Sequence, residues 1–297
     1  MQDELRPFIP FEKLRGRTLV ICYLVTGFVY GMIHFELHRV WSENGRNSLP
    51  DAVAGLLFYV IFLICISPIL FRSGLSCKQL FGTCPKLSTF RRYILWVFPL
   101  IIFSIVVFYL QYVPLHYLLP DFANWWFIDR SVSIIPSDGN ENLIVNLLNF
   151  TTIVLLAPVF EEFFIRGILL TRWNIKWGAP KAIFMSSLLF GILHTDIIDS
   201  FFFGYVLSIL YIRTKSLLIP ISIHMANNLI ALTIEFVQIP IQELPQQGAH
   251  IVLQESESLG LMAAAVIIIP WAINIVWKNF PKKSWRVPYL ADAKYLK

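Results

Sequence analysis

The chain has 297 residues, 57% of them hydrophobic and 14% charged, with a formal net charge of +5 and a mean hydropathy of +0.65. This composition excludes a water-soluble domain, and its long, continuous apolar runs, lacking any period-2 alternation, exclude a β-barrel in favour of an all-α, polytopic membrane helix bundle. In such a protein the excess of Lys and Arg reports loops facing the cytoplasm, so the lipid bilayer is the expected partner and nucleic acid is not.

The first seventeen residues are polar and charged, and no cleavable leader is expected. Apolar runs at 17–35, 52–71, 94–113 and 144–165 predict four helices close to the length that crosses the hydrocarbon core, and runs at 180–196, 200–213, 216–238 and 258–277 predict four more. The fifth and sixth are short and meet at the polar break HTDIIDSFF, which allows one of them to be a partial or re-entrant helix. Basic residues recur after every second run. Lys13, Arg15 and Arg17 precede the first; Arg72, Lys78, Lys86, Arg91 and Arg92 follow the second; Arg166, Arg172, Lys176 and Lys181 follow the fourth. Arg213 and Lys215 follow the sixth, and Lys278, Lys282, Lys283 and Arg286 the eighth, so both termini are expected in the cytoplasm. The opposite loops agree: 114–143 carries Asp121, Asp129, Asp138 and Glu141 against Arg130, and 239–257 has neither Lys nor Arg. Within the former, DFANWWFIDR reads as an aromatic segment at the bilayer surface.

No repeat or low-complexity tract divides the chain, and residues 1–297 read as one transmembrane domain. Cys22 and Cys65 lie in apolar runs and Cys77 and Cys84 in a basic loop, without CxxC spacing, so neither a disulfide framework nor a structural zinc site is expected. His34 and His38, with Glu36 between them, read as interfacial histidines lacking a third ligand. The string RSGLSC has no paired His and does not make a serine-protease site.

The chemistry is concentrated in APVFEEFFIRG at 157–167, where three charges interrupt an apolar run. Glu162 and Arg166 are at i and i+4 in the favourable order for an ion pair, while Glu161 lies about 100° around the helix and remains available. FGILH places Phe190 and His194 at i, i+4 on the fifth helix, and HMANN places His224 and Asn228 at i, i+4 on the seventh. A carboxylate, two histidines and an amide from three helices form a set able to activate water and hold an oxyanion. Counting from the basic flanks, with Arg166 as the end of its helix, puts them in the cytoplasmic half of the bilayer. Pro158 and Pro220 are expected to kink their helices and open a cavity there. Asn227, one residue before Asn228, points about 100° away.

In order along the chain, EEFFIRG, FGILH and HMANN resemble the EExxxR, FxxxH and HxxxN motifs of the CPBP (ABI) family of intramembrane proteases, which includes type II CAAX prenyl endopeptidases and bacteriocin-processing or bacteriocin-immunity proteins. The resemblance implies a catalytic core at 144–240, with Glu161 activating water, His194 assisting, His224 and Asn228 forming the oxyanion site, and Glu162 and Arg166 in a structural pair. It implies a peptide or lipidated membrane-protein substrate, cut near the cytoplasmic leaflet of a prokaryotic plasma membrane or an internal membrane. Oligomeric state is not legible. A metal-free mechanism is expected, since HExxH is absent; if a metal is bound, zinc on Glu161, His194 and His224 is the alternative. Two other classes share these residues: a proton-coupled transporter with a relay through Glu161, His194 and His224, against which no inverted repeat is evident, and a non-catalytic scaffold or immunity protein.

Overall fold

In a computed structural model of the chain, the described residues are 11, 14–42, 49–75, 77–127, 140–242, 255–282, 285 and 287–290, and nearly all of them are helical. The elements are α1 (Gly16–Ser42), α2 (Leu49–Ser73), α3 (Cys77–Phe81), α4 (Leu87–Ile94), α5 (Val97–Leu118), α6 (Pro120–Phe127), a continuous rod α7 over residues 140–177, α8 (Ala179–Ile192), α9 (Ile197–Thr214), α10 (Leu218–Gln242) and α11 (Glu255–Lys278). Lys13, Asp129, Arg130, Asp138, Lys283, Arg286 and residues 243–254 lie outside the described residues, as do the side chains of His38, Cys77 and Glu141.

Each of the eight expected apolar runs falls on a helix. Six helices are long and apolar enough to cross a membrane: Gly16–Leu37, Leu49–Ser73, Leu87–Leu118, Leu143–Trp177, Ile197–Thr214 and Gly260–Lys278. Ala179–Ile192 and Leu218–Ile234 are apolar but shorter. The protein is thus an integral, multi-pass helical membrane protein. Within the bundle α9 is central, with 67% of its apolar window buried by protein against 11% for α1 and α11, which present their sides to lipid.

Boundaries differ from the sequence reading in ways that matter to the site. The fourth run does not stop at residue 165. α7 continues to Trp177, so Arg166 lies inside the span with 0% exposure and cannot mark a membrane face. Arg172 and Lys176 mark that end instead, about 16 Å along the axis from Glu161 if the rise is that of an α-helix. α8 stops at Ile192, and His194 sits in the turn beyond it; Gly191 passes so close to α9 that an added Cβ would lie 2.7 Å from the Ile197 carbonyl oxygen. Pro220 is at the third position of α10, where its missing N–H has no helical partner to lose, so the expected kink is not produced there.

At the basic end, a short latch ties the α2–α4 connection to the α9–α10 turn. Thr83 N–H donates to the Lys215 carbonyl at 3.0 Å, Leu217 N–H to the Phe81 carbonyl at 2.9 Å, and the Tyr211 hydroxyl to the Leu80 carbonyl at 2.9 Å. Gly82 sits between them at φ +71°, and a Cβ there would lie 2.1 Å from the Lys215 carbonyl oxygen. Gly82→Ala therefore meets both a left-handed backbone and a backbone clash, and is expected to destabilise the protein by about 2 kcal/mol or more. Gly74 has a similar φ of +68° with nothing within 4 Å. Gly74→Ala isolates the conformational part, and thermal unfolding in detergent should show the smaller loss there. The segments around Leu14 and Tyr289 meet at this same end: Arg172 Nε donates to the Leu14 carbonyl, and Phe11 stands edge-on to Tyr289 at 4.7 Å.

Candidate active site

The site begins with a defect in α7. Pro158 has no N–H, so a carbonyl on the preceding turn must lose its helical partner. Residues Thr151–Leu156 are wound as a π-helix, in which Ala157 N–H reaches the Thr152 carbonyl. In that register the Ile153 carbonyl faces the nitrogen of Pro158 and receives nothing from it. Asn228 on α10 makes good the loss, its Nδ2 donating to the Ile153 carbonyl at 2.9 Å. Inside a bilayer an orphaned carbonyl costs several kcal/mol, and this is the kind of repair that lets a proline persist in a span. The expected kink at Pro158 takes the form of widened π turns, here and again at Phe163–Leu170, a feature common at functional sites.

Below this defect lies a fully buried ion pair. Arg166 Nη1 donates to Glu162 Oε1 at 2.7 Å, both side chains having 0% exposure. The same oxygen accepts from His224 Nδ1 at 2.9 Å, so a single carboxylate joins α7 to α10. The guanidinium also lies over the Phe190 ring at 4.3 Å. It fits because α9 presents a glycine: a Cβ at Gly204 would come 3.0 Å from Arg166 Nη2. Phe190, the first residue of FGILH, is therefore a platform. Its other ring contacts are His194 at 4.3 Å, His224 at 5.8 Å and Phe203 at 6.2 Å.

Glu161 faces the opposite way, with its side chain 18% exposed. The Tyr59 hydroxyl on α2 donates to its Oε1 at 3.3 Å, and its Oε2 has no hydrogen-bond partner among the described residues. Two imidazoles converge on that oxygen: His194 Nε2 at 3.8 Å and His224 Nε2 at 4.0 Å. Their other nitrogens are committed, His194 Nδ1 to the Phe190 carbonyl at 2.6 Å and His224 Nδ1 to Glu162. With Nδ1 donating, each neutral ring carries its lone pair on Nε2 and aims it at Glu161. Both spacings exceed a direct hydrogen bond.

These groups open on a cavity of about 480 Å³, bounded among others by Glu161, His194, His224, Asn227, Asn228 and Asp199. The structure thus brings Glu161, His194, His224 and Asn228 to one cavity and keeps Glu162 and Arg166 behind it. Three details differ from the sequence reading. His194 is carried by the turn that ends α8 and not by the helix itself. Asn227 lines the cavity as well as Asn228, its Oδ1 buried and unpaired among the described residues. Asn228 also serves the backbone of α7. Sequence reasoning missed Tyr59, the packing role of Phe190, and the polar rim where Asp196 accepts from Gln111 at 2.7 Å and Asp199 from Ser104 at 2.5 Å. α6 closes on that rim, Trp126 Nε1 donating to the Thr195 carbonyl at 2.9 Å. His34, set apart from all this, contacts Asp51 at 2.5 Å.

Among the described residues, no group of three or more His, Cys, Asp or Glu side chains is arranged to hold a metal ion. Both Nδ1 atoms donate to protein acceptors, which leaves the two Nε2 atoms, 3.8 and 4.0 Å from Glu161 Oε2, as the ring nitrogens free to meet water, substrate or a metal ion.

Residues 143–230 match the model of a family described as type II CAAX prenyl endopeptidase Rce1-like. The match covers less than a third of the chain but includes all three charged or polar motifs. No curated protein and no solved structure matches the chain. Over the segment that carries Glu161, His194 and His224, the chain is similar to the type II CAAX prenyl endopeptidase Rce1-like family.

Proposed function

We propose that the protein hydrolyses a peptide bond in a membrane-associated substrate by means of a water molecule activated at Glu161. The observation that carries this reading is the convergence of two imidazole Nε2 atoms on the unpartnered oxygen of a cavity-facing carboxylate. In the first step Glu161 Oε2 takes a proton from water while the water oxygen bonds to the substrate carbonyl carbon, giving a tetrahedral oxyanion. His194, adjacent through the same water position, orients that water with its Nε2 lone pair. The C–N bond then breaks, and the proton held on Glu161 passes to the leaving amine. The products are a carboxylic acid and an amine, which exchange a proton to become carboxylate and ammonium, with no covalent enzyme intermediate.

His224 and Asn228 are the oxyanion donors in this scheme, and the geometry sets a condition on each. While Nδ1 donates to Glu162, the neutral His224 ring has no second N–H, so donation from Nε2 requires the imidazolium. Glu162 lies behind the ring at 2.9 Å and Glu161 in front of it at 4.0 Å. Asn228 spends one N–H on Ile153 and has one left for the substrate. The cavity volume suits a short extended peptide. The core at 144–240, cytoplasmic termini and a cut near the cytoplasmic leaflet complete the proposal, resting on the basic connections.

The test is cleavage of membrane-anchored peptides by purified protein in proteoliposomes. Hydrolysis that disappears in Glu161→Gln supports the reading, whereas a Glu161-dependent proton flux without hydrolysis identifies a transporter. Catalysis by this route needs no metal. Protein stripped with chelator and shown metal-free by elemental analysis is expected to retain its hydrolysis rate within about twofold; loss restored only by zinc contradicts the mechanism.

A further inference from the structure

Tyr59 belongs to α2, outside the segment that matches the family model, yet it makes the one hydrogen bond found on Glu161 among the described residues. It stands where two compartments meet. With Glu161, Phe190 and His194 it lines both the polar cavity and an apolar crevice walled by Tyr23, Phe58, Phe62, Phe160 and Phe164. That crevice has a free volume of about 10 Å³, enough for roughly one water and no more. Glu161 thus stands at the boundary of the two, and His224 lines the polar cavity alone while His194 borders both.

The ring of Tyr59 is fixed from two directions. It stacks on Phe160 at 5.3 Å with an interplanar angle of 20°, and Phe58 meets it edge-on at 5.2 Å. Phe160 immediately precedes Glu161, so the stacked pair ties the backbone of α7 to α2 at the catalytic position. A phenol locked in this way is a preorganised donor, and it selects one carboxylate oxygen. With Oε1 held, Oε2 is the oxygen left to face His194 and His224.

We infer that Tyr59 is a positioning residue for the proposed reaction: its hydroxyl holds Glu161 in the rotamer that presents Oε2 to the water site and keeps the carboxylate out of the aromatic crevice. This rests on the reading of Glu161 as the base. It assigns a role to a helix that the three motifs do not include, and it accounts for a tyrosine hydroxyl placed between apolar rings in mid-bundle.

The experiment uses full-length protein in nanodiscs and a peptide spanning a cleavage site that depends on Glu161. Tyr59→Phe keeps both ring contacts and removes only the donor. It is expected to lower kcat about tenfold, normalised to folded protein, the scale of one hydrogen bond to a charged group, with KM unchanged within about twofold. Tyr59→Leu, which also removes the stacking, should lose more kcat and lower the unfolding temperature. If Tyr59→Phe retains wild-type kcat, or if kcat falls only in proportion to the folded fraction, the inference is overturned. Should Glu161→Gln itself cleave normally, the failure lies in the proposed function and takes this role with it.

Discussion

Glu161→Gln is expected to reduce peptide hydrolysis by at least about 1000-fold, within the range attributed to general-base catalysis, while leaving the protein folded. Gln has the same shape and can still accept from Tyr59 at Oε1, so the contact with α2 survives. What it lacks is a basic oxygen at the position 3.8 Å from His194 and 4.0 Å from His224. Because Glu161 is partly exposed to the cavity and does not carry the buried ion pair, removing its charge should not lower the unfolding temperature. A drop in activity accompanied by an equal drop in folded protein would contradict this division of labour.

The second large effect concerns Arg166, and it falls on stability. Arg166→Met leaves Glu162 as a buried carboxylate facing His224 alone, and breaking such a pair from one side typically costs about 3–5 kcal/mol. It also removes the guanidinium from the Phe190 ring, the platform under both histidines. Replacing the pair together, Glu162→Gln with Arg166→Met, removes the uncompensated charge and should recover most of the folded yield. Hydrolysis by the double variant should stay down by at least about tenfold, because His224 Nδ1 then donates to a neutral amide, a weaker acceptor that holds the ring less firmly. Measuring unfolding temperature and kcat on the same samples separates the two effects. Full activity in the double variant would show that the Glu162 charge has no part in the chemistry.

The helices were legible in the sequence because a continuous apolar run of spanning length can satisfy its backbone in lipid only by coiling into a helix. The ion pair was legible for an equally local reason, since i, i+4 spacing is a property of any helix. Other features depend on contacts between distant segments. Tyr59 lies 102 residues from Glu161, and in a chain with 11 tyrosines and 25 phenylalanines one aromatic on one apolar helix carries no local mark of its hydroxyl's destination. The π turns around Pro158 were equally hidden, because a proline signals a lost hydrogen bond but not how the backbone accommodates it. Reading Arg166 as a membrane flank followed from a rule about average positions of Arg and Lys; this arginine is retained inside the bundle by Glu162, Phe190 and the gap at Gly204. His194 falls just past its helix and not within it, since a C-terminal helix boundary with no glycine or proline stop is poorly marked in sequence.

The proposed function rests on Glu161 as the group that governs hydrolysis of a membrane-associated peptide bond. The most direct measurement compares peptide termini in membranes containing the wild-type protein with membranes containing Glu161→Gln at matched amounts of folded protein. A set of new carboxyl and amino termini is expected with wild type and not with the variant, located in membrane-anchored proteins. Identical termini in the two membranes, with both proteins folded, would contradict it.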